Sequence, residues 1–136
     1  MIVVDAAATG GVVCEALRLG ACSSFLPLGK FFRAEDVDPK IIHHEKGIDV
    51  LRVSFGEQKK FDASLLVSIL TLLANDHHYC IVVLTSNSAQ DVFKVLSQSD
   101  VVHLLLAPDA LSVKHIFVVM DNSGAGQGLE LKKKFA

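Results

Sequence analysis

No stretch of this chain is apolar for long enough to span a membrane. The longest uncharged apolar run lies around residues 65–74, short of the ~20 residues a span requires. No basic segment precedes an apolar one at the N-terminus, so the start does not read as a secretory leader. A large excess of either sign of charge is lacking too: a formal net charge of −2 gives no electrostatic ground for nucleic-acid binding. The three cysteines, Cys14, Cys22 and Cys80, include no CxxC pair, which argues against a zinc site or a disulfide framework. With no export signal, they read as reduced, buried thiols in a cytoplasmic protein. The six histidines include the pairs His43-His44 and His77-His78. Adjacent side chains point in different directions, so neither pair makes a two-ligand face, and solvated loop and helix-end histidines are expected.

What the chain does have is apolar surface to bury. Hydrophobic residues make up 51 % of its 136 positions, with a mean hydropathy of +0.43. That suffices for one sizeable core and suits parallel strands covered on both faces. Residues 2–4 form a first short β-branched strand. It ends on Asp5 and opens through small residues into Gly10-Gly11 and a helical pattern over 12–19, with Gly20 as its stop. Residues 21–33, broken by Pro27 and Gly29, read as a connection. Acidic residues followed by Pro39 predict a short helix over 39–45. Lys46-Gly47 then punctuates the chain before an alternating strand at 48–55.

Asp62 is placed to cap a helix over 63–75, whose Leu65, Leu66, Ile69, Leu70, Leu72 and Leu73 form a broad apolar face. The almost wholly apolar run 79–85 reads as a central parallel strand. A helix over 89–97, a strand at 101–106 and a further helix over 110–120 follow, although the β-branched end of the last leaves a strand open. Strands alternating with helices, without hairpin signals, predict an α/β fold: three layers, a mostly parallel sheet and helices on both faces. The expected organisation is one domain over 1–122 and a flexible Gly- and Lys-rich tail over 123–136.

Candidate chemistry gathers at the ends of strands. Asp5 can hold a magnesium-bound water or orient an attacking water, or simply cap the next turn. Thr85-Ser86-Asn87-Ser88 offers hydroxyls and amides to an anion, or caps the helix that follows. Pro108-Asp109 follows the strand at 101–106 and lines the same crevice, or caps the last helix. Gly124, Gly126 and Gly128 do not match a dinucleotide-binding pattern. Cys14 and Cys80 occupy positions suited to packing, and no nucleophile–base arrangement is visible.

In their order along the chain, four segments resemble the MinD/ParA-like P-loop ATPases, most closely the ATPase-like domains of the CpaE/TadZ group that place pili and secretion machinery. Ile2-Val3-Val4-Asp5 with its following glycines is similar to that family's second strand and its nucleotide-site aspartate. Gly47-Ile48-Asp49-Val50-Leu51 and His78-Tyr79-Cys80-Ile81-Val82-Val83 resemble two later strands. The segment from Ser99-Asp100-Val101 through Ala107-Pro108-Asp109 to Ser112 is the most specific of the four. The resemblance implies a nucleotide site drawing on Asp5, Gly10, Gly11, Thr85, Pro108 and Asp109.

Two departures bear on mechanism. The family's glycine-rich phosphate loop would lie upstream of Met1 and has no counterpart in the chain. Without its amides and lysine, the electrostatic stabilisation of phosphoryl transfer is missing. Where the family carries a strand-end acid, this chain has Thr85, and a second acid falls on Ala7. The chain is then a fragment of a longer protein, a degenerate relative retained for binding, or both. The leading expectation is a non-hydrolytic assembly or localisation module with protein partners or a second copy of itself, and with no catalytic residue, metal or cofactor. The alternative is an ATP- and magnesium-binding ATPase domain completed by an upstream phosphate loop. A receiver-type regulatory domain fits less well, because paired acids and a strand-end lysine are lacking.

Overall fold

The structure, a computed structural model, describes residues 1–6, 12–19, 26–27, 33–54, 62–84, 89–103 and 105. The chain divides into two compact units, Met1–Asn87 and Ser88–Ala136. The boundary expected near residue 122 falls outside the described residues.

The first unit is an α/β structure built on a mixed sheet. Its strands are β1 (Ile2–Ala6), β2 (Leu26–Pro27), β3 (Ile42–His44), β4 (Ile48–Ser54) and β5 (Cys80–Leu84). The order β2-β4-β1-β5 is parallel throughout, and β3 pairs antiparallel with β4. In register, Ile2 lies beside Asp49 and Cys80, and Asp5 beside Arg52 and Val83. Strand residues alternate between faces. Ile2, Val4, Leu51 and Val53 therefore share one face and are buried, whereas Asp5, Val50 and Arg52 share the other. Pro27, which has no N–H to donate, falls in the strand that ends the described order at β2.

β4 and β1 are the inner strands of the described order, and β5, whose apolar run at 79–85 suggests a central place, ends it. An apolar run reports burial and says little about strand order. Among the described residues β5 pairs with β1 alone, and Tyr79 and Ile81 are 71 % and 48 % exposed. The expected helix over 39–45 is also replaced. Helix α2 (Ala34–Val37) begins earlier, with Glu35 and Asp36 in its first turn and Asp36 Oδ2 accepting the Arg33 amide at 2.8 Å. A 3-10 turn, Asp38–Lys40, takes up Pro39, and the chain then enters β3. A three-residue connection turns β3 into β4, with Gly47 at φ +73° and its amide bonded to the His44 carbonyl at 3.0 Å. Gly47 thus fills the left-handed slot of a three-residue hairpin, an antiparallel element that the reading without hairpins omitted.

Helix α1 (Val12–Ala16) is shorter than its apolar pattern. Arg18 adopts φ +54°, the Leu19 amide bonds to the Cys14 carbonyl at 3.0 Å and the Arg18 amide to the Glu15 carbonyl at 3.1 Å. These are the two bonds of a Schellman stop, placed two residues before the expected Gly20. Helix α3 (Ala63–Ala74) forms as its pattern predicts. Asp62 Oδ1 accepts the amides of Ser64 and Leu65 at 3.0 and 3.2 Å, and Ala63, Leu66, Ile69 and Leu73 are its buried stripe. Leu65, Leu70 and Leu72 are only partly buried.

In the second unit, α4 (Ala89–Gln98) places Val95 and Leu96 in the interior, and Leu96 packs with Val102 and Phe93. Of the expected strand at 101–106, the described residues retain a single bridge at Val102, with Val101 and Leu105 exposed. The expected final helix lies outside the described residues.

Candidate functional site

Asp5 is the only member of the expected nucleotide site among the described residues. Gly10, Gly11, Thr85, Pro108 and Asp109 lie outside them. Asp5 stands near the carboxyl end of an inner strand, where ligands of parallel sheets bind. It is nonetheless 1 % exposed, and its Oδ2 accepts the Val13 amide of α1 at 3.1 Å. This carboxylate serves the first turn of the following helix, and the cost of burying it is offset by bonds made within the protein.

A second carboxylate, at the opposite end of the sheet, carries the most developed polar cluster. Asp49 is the second residue of β4 and lies across the hairpin from His43. His43 Nδ1 is 2.6 Å from Asp49 Oδ1, a cross-strand pair made by the register of β3. His77, just beyond α3, places Nε2 3.1 Å from Asp49 Oδ2. Its Nδ1 lies 3.0 Å from the Leu73 carbonyl oxygen. The amide of Asp49 is bonded to the Met1 carbonyl at 3.0 Å, which ties the cluster to β1. One carboxylate therefore joins β3, β4 and the connection from α3 to β5.

Burial acts to raise the Asp49 carboxyl, but the bonds to His43 and His77 and their charge outweigh it and hold the group below its ordinary value of 3.8. The His43 side chain is 76 % exposed and that of His77 only 14 %. The two contacts on Asp49 thus differ in their shielding from water. His44, by contrast, accepts the Lys46 amide at its Nδ1, 3.2 Å away. Among the described residues no group of three or more His, Cys, Asp or Glu is placed to hold a metal ion. In this cluster the carboxylate itself fills the gap between the two imidazoles.

The histidine reading by residue type holds only in part. His77 does end a helix, but it is mostly buried and bonded on both sides rather than solvated. Nothing local in the sequence pairs it with a residue 28 positions away. The available clue was the hairpin: once Gly47 is read as a left-handed turn, His43 falls opposite Asp49. The cysteines need a larger correction. Cys14 is disulfide-bonded and Cys80 is a free thiol, so the expectation of reduced thiols fails at Cys14. Spacing of Cys codons along a chain does not report which thiols the fold brings together. Burial pushes the Cys80 thiol above its ordinary value, the behaviour of a packed sulfur and not of a nucleophile. His103, expected in the middle of a strand, is exposed. Among the described residues no helix is long and apolar enough to cross a membrane. No protein-family model matches the chain, and no curated protein or solved structure is significantly similar to it.

Proposed function

We propose that this chain is a non-hydrolytic assembly or localisation module of MinD/ParA-like type that acts through protein–protein contacts. Its resemblance to the CpaE/TadZ domains suggests a part in placing a pilus or secretion machine. The observation that carries the reading is the state of Asp5. The residue the resemblance assigns to nucleotide is 1 % exposed, and its Oδ2 holds the Val13 amide. A three-layer arrangement is favoured by the pleat. Asp5 and Asp49 project from opposite faces of the sheet, and α1 supplies the Val13 amide to one while the end of α3 supplies His77 to the other. Protein contact is favoured by Tyr79, just before β5, and Ile81 on it, both large and exposed. Partners are other proteins or a second copy, and the compartment in keeping with the resemblance is the cytoplasm.

The test is nucleotide turnover and binding by the purified chain. No sustained phosphate release and no magnesium-dependent heat of ATP binding are expected. Phosphate release that is lost in Asp5→Asn, with folding intact, would sink the proposal. A second reading keeps Asp5 as the magnesium- or water-orienting acid of an ATPase completed by a phosphate loop elsewhere in a longer protein. It is favoured by the position of Asp5 at the carboxyl end of an inner strand. Tight magnesium-dependent ATP binding by an N-terminally extended chain would support it.

A further inference from the structure

Both ring nitrogens of His77 meet groups that can only accept a hydrogen bond. Nδ1 lies 3.0 Å from the Leu73 carbonyl oxygen and Nε2 lies 3.1 Å from Asp49 Oδ2. A neutral imidazole carries one N–H and can satisfy one of these partners, whereas the imidazolium satisfies both. The helix acts in the same direction. The last turn of α3 has no basic residue, and its terminal carbonyls form the negative end of the helix dipole, which favours a cation there. His44 shows the opposite arrangement, since accepting the Lys46 amide at Nδ1 requires a lone pair that the imidazolium lacks.

We infer that His77 is a proton-dependent cap: doubly protonated, it ties the C-terminus of α3 to the start of β4 through Asp49, and on losing a proton it releases one of the two contacts. The titratable groups at this end of the sheet are Asp49 on β4, His43 and His44 on β3, and Asp76 and His78 beside His77. Glu45 and Lys46 in the turn between β3 and β4, Tyr79 just before β5, Cys80 at its start and the amino group of Met1 ahead of β1 lie at the same end. Asp49 is the group that bonds to His77, and it shares its other oxygen with His43 at 2.6 Å. Burial would favour the neutral Asp49 carboxyl, but the two histidines prevail, so it stays anionic throughout the range in which imidazoles titrate. The protonation of one ring therefore sets how firmly the connection from α3 into β5 is held. This device does not depend on the function proposed above.

The experiment is long-range proton–nitrogen NMR of the full chain, labelled with nitrogen-15 at histidine, across the range in which imidazoles titrate. The two-N–H pattern is expected for His77 on the acidic side of that range, and a single-N–H pattern for it throughout overturns the cap. Asp49→Asn keeps the shape and removes the charge, and it is expected to move the His77 titration midpoint to lower pH. His43→Asn leaves Asp49 to one imidazole and is expected to move it higher. A midpoint unmoved in both variants overturns the inference. The unsubstituted chain and the exposed His43 position keep the test decisive if Asp49→Asn fails to fold. Backbone hydrogen exchange at residues 75–79 is expected to quicken above the midpoint, and equal exchange on its two sides overturns the release.

Discussion

Asp5 and Asp49 sit on adjacent strands of one sheet, on opposite faces and near opposite ends, and they are spent on different tasks. Asp5 is buried and takes a backbone amide, a partner whose charge state never changes. Asp49 is partly open and takes two imidazoles, partners whose charge follows pH. Asp5 thus accepts a bond from the helix that follows its strand, while Asp49 gathers two histidines from separate segments. The largest effect should follow from removing the buried one. Asp5→Ala leaves the Val13 amide without its acceptor and empties space in the core, an expected loss of about 2–4 kcal/mol in urea unfolding. Asp5→Asn, which retains an oxygen, should cost less. If both variants were as stable as the parent, the comparison would break, because the buried carboxylate would not be a structural acceptor.

Asp49→Ala should cost less, about 1–2 kcal/mol near pH 6, because the carboxylate is partly hydrated and its His43 contact is well exposed. Most of that loss should couple to His77 in a double-mutant cycle and little to His43. The sign on the acid side follows from the direction of the shift. Burial raises the Asp49 carboxyl and the two histidines lower it further than that, so its folded value lies below 3.8. Its contribution is therefore fully present above the ordinary carboxylate range and is lost as pH falls through the depressed folded value. Acid titrations of stability should show this loss in the parent chain and a shallower fall in Asp49→Asn. Equal slopes in the two would separate Asp49 from acid stability.

Local pattern made the α/β class, α3 with its Asp62 cap, and the parallel strands legible in the sequence, because each rests on periodicity within one segment. The hairpin of β3 and β4 was hidden. Acids before Pro39 look like a helix start, and the run 42–44 gains its strand character only from β4 across the turn. Strand order was hidden for a related reason: β5 is more apolar than β1, yet β5 ends the described order and β1 lies inside it. The candidate nucleotide site was readable as strand-end residues and as a resemblance. The cluster at Asp49 depends on β3 pairing and on the exit angle of α3, both tertiary facts. The Cys14 disulfide likewise was not legible from cysteine spacing.

The two ends also turn the chain differently, and smaller substitutions can sharpen that difference. Gly47, in the hairpin that sets His43 against Asp49, has φ +73° and no atom within 4 Å of the position a Cβ would occupy. Space is therefore no obstacle to Gly47→Ala, and the expected loss of about 1 kcal/mol is purely conformational. The loss should appear in urea unfolding together with a shift of the His43 ring resonances. A stability unchanged within error would mean that the turn relaxes to another geometry.

At the other end, Arg18 occupies the left-handed residue of the stop that ends α1, the helix whose Val13 amide serves Asp5. Holding an L-residue there costs roughly 1–2 kcal/mol, and glycine removes that strain. Glycine also enlarges the freedom of the unfolded chain, which takes back about 0.4–1 kcal/mol. Arg18→Gly should therefore stabilise the protein by about 0.5–1 kcal/mol, read as a higher urea midpoint at an unchanged slope. The gain belongs to the Asp5 end, so the histidine resonances around Asp49 should stay where they are. If they moved, the two ends would be coupled through the sheet, and the division of labour between the two aspartates would need to be drawn across the whole strand pair.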